Sequence, residues 1–132
     1  MTIQYNATHR NNDMTDIVTQ AGATAYLLIY TGSAPANCAT ADSGTLLASL
    51  PMSNPIGTVT GGVLTMSAIT AAAAAAGGTA GHWRICTSSA GTTCVAQGTV
   101  GVTGADLNFP SVTFSQGETV SISNFTITAN GA

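Results

Sequence analysis

The chain has 132 residues and a mass of 13.1 kDa, the size of one domain. Ala (22), Thr (22), Gly (15) and Ser (11) fill 70 positions, while only Arg10, Arg84, Asp13, Asp16, Asp42, Asp106 and Glu118 are formally charged, for a net charge of -3. Two arginines and no lysine cannot neutralise a phosphate track, so binding to nucleic acid through a basic footprint is excluded. Collagen is excluded because the glycines have no three-residue period, and charge-driven disorder by a hydrophobic content of 45% and a mean hydropathy of +0.33.

The N-terminus, MTIQYNATHRNNDMTD, has no basic stretch leading into an apolar one, which predicts a chain made in a cytoplasm and not secreted by an N-terminal signal. No apolar run approaches the roughly 18–20 residues that span a bilayer, so no membrane partner is expected. The sequons at Asn6 and Asn124 are then chance matches. Ala7, Met14, Ile17, Val18 and Ala21 form an apolar stripe at helical spacing, and Gly22 stands where a helix ends, which predicts a helix over residues 6–21 behind an arm of residues 1–5.

From Ala23 the period changes to that of short strands between Gly, Pro, Asn and Asp clusters. Residues 24–30 are almost continuously apolar, as in a strand buried on both faces. Residues 31–42 are a turn-rich loop, 46–50 a strand stopped by Pro51, 53–57 a loop, and 63–69 an alternating strand. The alanine tract 71–76 is too short and too closely flanked by glycine to nucleate a stable helix, so it reads as a loop with room for one helical turn. Residues 82–87 and 94–101 flank SSAGTT as a hairpin with Gly91 in the turn, and two short strands follow at 107–109 and 112–114. Val120 and Ile122 are in phase with each other but out of phase with Phe125 and Ile127, which implies a bulge or a crossing between sheets near Ser123 and Asn124. About eight strands at this spacing predict a mainly β fold, a two-sheet sandwich of jelly-roll type over residues 23–130 with a short N-terminal helix.

Candidate chemistry is sparse. His82 and Arg84 share one face of their strand, opposite Trp83, and His82 reads as a rim histidine beside a core tryptophan rather than a base. No spacing suggests a Ser-His-Asp triad or a nucleophile elbow, and His9 is far from His82. Asp13 and Asp16 share a helix face and read as a solvated helix start; Asp42, Asp106 and Glu118 lie in or near turns and form no constellation. The paired glycines at 61–62 and 77–78 do not link a strand to a helix and make no phosphate cradle. Cys38, Cys86 and Cys94 are odd in number and read as free thiols in a cytoplasmic product. Cys86 and Cys94 could face each other across the hairpin, Cys38 could reach either, and Cys38 with Cys94 is the bridge favoured if one forms. A zinc site of three cysteines and His82 lacks any CxxC element, so no catalytic, metal or cofactor site is expected.

The stretch RNNDMTDIVTQAGATAYLLIYTGSAPANC (10–38) resembles the opening of small structural proteins from tailed-phage and prophage head gene clusters. The resemblance continues through SGTLLASLPM (43–52), GTAGHWRICTSSAGTTCVAQGTVG (78–101) and ADLNFPSVTFSQGETVSISNFTIT (105–128), nearly the whole chain. It implies a capsid decoration, or cement, protein: a non-enzymatic β-sandwich on the capsid exterior that clamps neighbouring major capsid subunits and acts as a homo-oligomer, commonly a trimer or dimer. Cys86 departs from the pattern, in which an aromatic more usually follows the (W/F)RI strand. The arm and helix, with Tyr5, Arg10, Met14 and Ile17, are the expected contacts with the shell or a sister subunit. The competing reading is a tail or head-fibre module that stacks a host glycan on exposed aromatics, and a small hydrolase is the poorest because acid–base groups are so few.

Overall fold

The computed structural model describes residues 3–131 and is mainly β, with a single helix at the N-terminus. Helix α1 spans Ala7–Ala21, begins where the Asn6 side chain accepts a hydrogen bond from the His9 amide, and ends at Gly22 with φ +71°. Asn6 and Gly22 thus supply the two caps that the helix's unpaired amides and carbonyls need. Met14 and Ala21 are buried, and the helix lies on the β3–β4 hairpin and touches β7. Asp13 and Asp16 are exposed but lie beyond the first helical turn, so the reading of a charged helix start is corrected: they pair with His9 (3.5 Å) and Gln20 (2.7 Å) instead.

The largest sheet runs β2 (Leu46–Pro51), β1 (Tyr26–Thr31), β6 (Gly78–Cys86), β7 (Cys94–Gly101), β8 (Leu107–Asn108), with β9 (Thr113–Phe114) pairing the start of β6. All pairs are antiparallel except β7 with β8. A three-stranded sheet holds β11 (Thr126–Thr128), β4 (Val63–Met66) and β3 (Gly57–Thr60), and β5 (Ala72–Ala73) pairs with β10 (Thr119–Val120). The alanine tract therefore contributes a two-residue strand and no helical turn: β10 supplies the backbone partners that an isolated hexa-alanine lacks. GTVT, which precedes the double-glycine turn at 61–62, adds a strand where a loop was expected to end. The chain joins one sheet at β10 and another at β11, which accounts for the phase slip between Val120 and Phe125.

Strand β1 is the centre of the molecule, hydrogen-bonded on both edges and buried on both faces. On one face, Leu27 and Ile29 join Trp83, Ile85, Leu47, Leu64 and Phe125 in the main apolar core, where Trp83 meets Phe125 edge-on at 5.0 Å. On the other, Leu28, Tyr30 and Cys86 form a smaller cluster. The alternation of β6 sends Trp83 and Ile85 into the first core and His82, Arg84 and Cys86 to the second face. That second face is roofed by the loop of residues 32–45.

Candidate functional site

A strand that alternates Trp83 with His82 and Arg84 commits both polar side chains to one side of the sheet. Both are buried, His82 at 0% and Arg84 at 2% exposure, so His82 is not the rim residue expected from sequence. Burial of a guanidinium requires a counter-charge and hydrogen bonds for its donors. Asp42 supplies the charge from the roof loop: its Oδ2 lies 2.6 Å from His82 Nε2 and 3.4 Å from Arg84 Nε. Its Oδ1 accepts the Gly44 amide at 2.7 Å, closing a tight turn within the loop. Asp42, His82 and Arg84 therefore do form a constellation, contrary to the sequence reading.

The remaining donors sew the loop to the sheet. His82 Nδ1 donates to the Gly32 carbonyl at 2.8 Å, and Arg84 Nη2 donates to the carbonyls of Asn37 (3.2 Å) and Thr40 (2.7 Å). Arg84 Nε donates to Gln97 Oε1 at 3.0 Å, and Gln97 Nε2 passes the contact on to the Pro35 carbonyl at 2.8 Å. Tyr30 stacks flat on His82, ring centroids 5.3 Å apart at 8°. Close backbone approach is part of the same design: a Cβ on Gly81 would run into the backbone of Gly32, and one on Gly44 into the Thr31 carbonyl.

Cys38 and Cys94 are joined in a disulfide with Cα atoms 5.3 Å apart, so two of the three thiols are not free as the cytoplasmic default had them. Cys86 sits directly opposite Cys94 in the β6–β7 register, yet remains a free, buried thiol. Burial pushes the Cys86 thiol up from its ordinary value, with Arg84 opposing and Asp42 adding to the shift. Burial likewise pushes the Tyr30 phenol up, helped by Asp42 and Cys86 and opposed by Arg84. Both groups hold their protons through the neutral range, and Cys86 is a poor nucleophile.

Chemically the cluster is a clamp. The Gly32 carbonyl can only accept, so His82 Nδ1 carries a hydrogen, and Nε2 is engaged by Asp42 Oδ2 at 2.6 Å. Neither ring nitrogen is free to take a proton from a substrate, as a general base must. Among the described residues, no group of three or more His, Cys, Asp or Glu side chains is placed to hold a metal ion. No helix of the structure is long and apolar enough to cross a membrane.

No protein-family model, curated protein or solved structure that was compared with this chain matches it. Of the residues expected to make subunit contacts, Met14 is buried in the core and Ile17 packs half-buried against it, so both serve the domain's own interior. Tyr5 is 44% exposed, ring against His9, with its amide donating to the Gly131 carbonyl at 2.6 Å. Arg10 lies beside Gly62 and donates to the Tyr5 carbonyl at 3.2 Å, which ties the arm to the helix. Sequence reasoning missed Asp42; the signal for it was an arginine on the same strand face as a histidine and turned inward, a buried cation that demands a carboxylate from a neighbouring loop.

Proposed function

We propose that the chain is a structural virion protein, a phage capsid decoration or cement protein that binds the outer shell and stabilises contacts between major capsid subunits. The observation that carries this reading is the poverty of charge on the surface. With Arg84 and Asp42 taken into the interior, five of the seven charged side chains remain to serve a surface of 6846 Å². A free domain usually carries about 25–35% charged residues outside. A skin of Thr, Ser, Ala and Gly suits close backbone approach over a broad protein contact, in which each copy adds a modest interface that the shell repeats many times. Ile3, Tyr5 and Val102 are exposed large apolar side chains available to such contacts. The disulfide and the polar clamp favour a stiff module that transmits load rather than one that changes shape.

In the same reading the sheets close as a two-layer sandwich of jelly-roll type, supported by the main apolar core shared by β1, β2, β4, β6 and the segment around Phe125. The partners are the major capsid protein and further copies of this chain as a trimer or dimer, with the virion exterior as the location. The glycan-binding alternative is weakened by the burial of Tyr30, Trp83, Phe109, Phe114 and Phe125, which leaves Tyr5 as the well-exposed ring among the described residues. The test is light scattering of the protein alone and then with capsids stripped of accessory proteins. A dimer or trimer that rebinds and raises the melting temperature of the shell is expected. A monomer that ignores capsids would overturn the reading.

A further inference from the structure

A hollow of about 360 Å³ opens on the second face of the large sheet, between residues 38–42 of the roof loop and the hairpin turn at 90–92, with Tyr30, Asp42 and Arg84 in its lining. Two donors on buried side chains have no protein partner there. Arg84 commits Nε to Gln97 and Nη2 to two loop carbonyls, which leaves Nη1 without a hydrogen bond among the described residues. The fully enclosed orphans are Ser49 Oγ and Trp83 Nε1, so Arg84 Nη1 reaches open space, and this hollow is an opening that Arg84 lines. The Tyr30 hydroxyl, on a side chain only 9% exposed, also lacks a partner among the described residues. Gly91, at φ +70°, faces that hydroxyl across the mouth: a Cβ there would lie 3.0 Å from it, so glycine keeps the mouth open.

The open donors give the sign of the ligand. One belongs to a guanidinium, which is always charged, and the Asp42 carboxylate that faces it is shared with the Gly44 amide and His82. A guanidinium donor and a hydroxyl with no protein acceptor among the described residues are met best by an anionic pair of oxygens. We propose that this hollow is a binding site for a single carboxylate group, one oxygen held by Arg84 Nη1 and the other by the Tyr30 hydroxyl. A planar singly charged group matches one guanidinium and two unpartnered donors in the lining of one hollow. A phosphate dianion would overshoot that charge and press against Asp42. The carboxylate comes either from a free small acid or from an Asp or Glu side chain on a partner protein. This proposal stands apart from the capsid reading.

The test is NMR of the whole oxidised chain, recording the backbone amides of Thr40 and Gly91 and the Arg84 Nε–H. Sodium acetate is titrated in at constant ionic strength against sodium chloride, and in a second arm a blocked peptide, Ac-Gly-Glu-Gly-NH2, whose side chain is its sole carboxylate. Saturable shifts at those three groups are expected with acetate or with the peptide, and not with chloride. Acetate binding at least as tightly as the peptide assigns the site to free small acids; tighter peptide binding assigns it to a partner's side chain. Tyr30→Phe keeps the ring stacked on His82 but removes one donor to a charged group, and is expected to weaken binding about tenfold. Shifts that stay linear in both arms, that chloride reproduces, or that keep the same affinity in Tyr30→Phe would overturn the proposal.

Discussion

Replacing Cys38 and Cys94 together with serine separates the covalent from the non-covalent attachment of the roof loop. The bridge joins positions 56 residues apart. Closing a loop of that length in the unfolded chain removes conformational entropy equivalent to about 4 kcal/mol at 25 °C. In the folded state the loop keeps five other anchors: Gly32 on His82, Asn37 and Thr40 on Arg84, Pro35 on Gln97, and Asp42 on His82 and Arg84. The loss should therefore act on the unfolded ensemble and leave the native loop in place. For a domain of this size, about 4 kcal/mol corresponds to a fall in Tm of roughly 10–20 °C, to be read by calorimetry. Hydrogen exchange at the Gly44 and Thr45 amides, which donate to Asp42 and Thr31, reports the loop itself. A fall of under about 3 °C would refute the entropic account. A large fall accompanied by loss of local protection at Gly44 would show that the bridge, and not the polar clamp, positions the loop.

Asp42→Asn keeps the shape of the side chain but removes the negative charge that faces Arg84; it should cost about 3–5 kcal/mol in guanidinium unfolding, and a cost below about 1 kcal/mol would mean the clamp adds little. Gly98→Ala should lower stability by about 1–3 kcal/mol, because the added Cβ would lie 2.6 Å from Trp83 Cζ2 and 2.7 Å from Asp106 Oδ2; an unchanged Tm would contradict that packing. Cys86 should resist a thiol reagent at pH 8 until denaturant is added, since the thiol is buried and its ionisation is pushed above the ordinary 9.0. The same shift fixes a sign. Keeping Cys86 and Tyr30 protonated favours the folded state, a contribution complete below pH 9 and lost as pH rises through their raised folded values. Cys86→Ala should accordingly flatten the loss of stability measured by alkaline titration above pH 9.

Much of the framework was legible because local rules and tertiary context agree there. The stripe from Met14 to Ala21, bounded by Asn6 and Gly22, needed nothing beyond helical spacing and caps. The apolar run around Leu27–Ile29 announced a strand covered on both faces, although not what covered the second one. The two-residue strand at Ala72–Ala73 had no signal of its own, since it exists through pairing with residues nearly fifty positions on. The clamp was half-legible. The alternation that sets His82 and Arg84 against Trp83 is plain in the sequence, but Asp42 reaches them from a loop 40 residues away. No periodicity encodes that contact; the need of a buried cation for a carboxylate does.

The placement of Arg84 has a practical reach. Trypsin cuts after arginine and lysine, and this chain offers it two arginines and no lysine. One of them is locked inside β6, between β1 and β7, and is cut only when the large sheet opens. The other, Arg10, sits in the first turns of α1, which can fray without disturbing the sheet. Limited digestion thus becomes a two-channel clock: the fragment ending at Arg10 times the local opening of the helix, and the fragment ending at Arg84 times the opening of the whole domain.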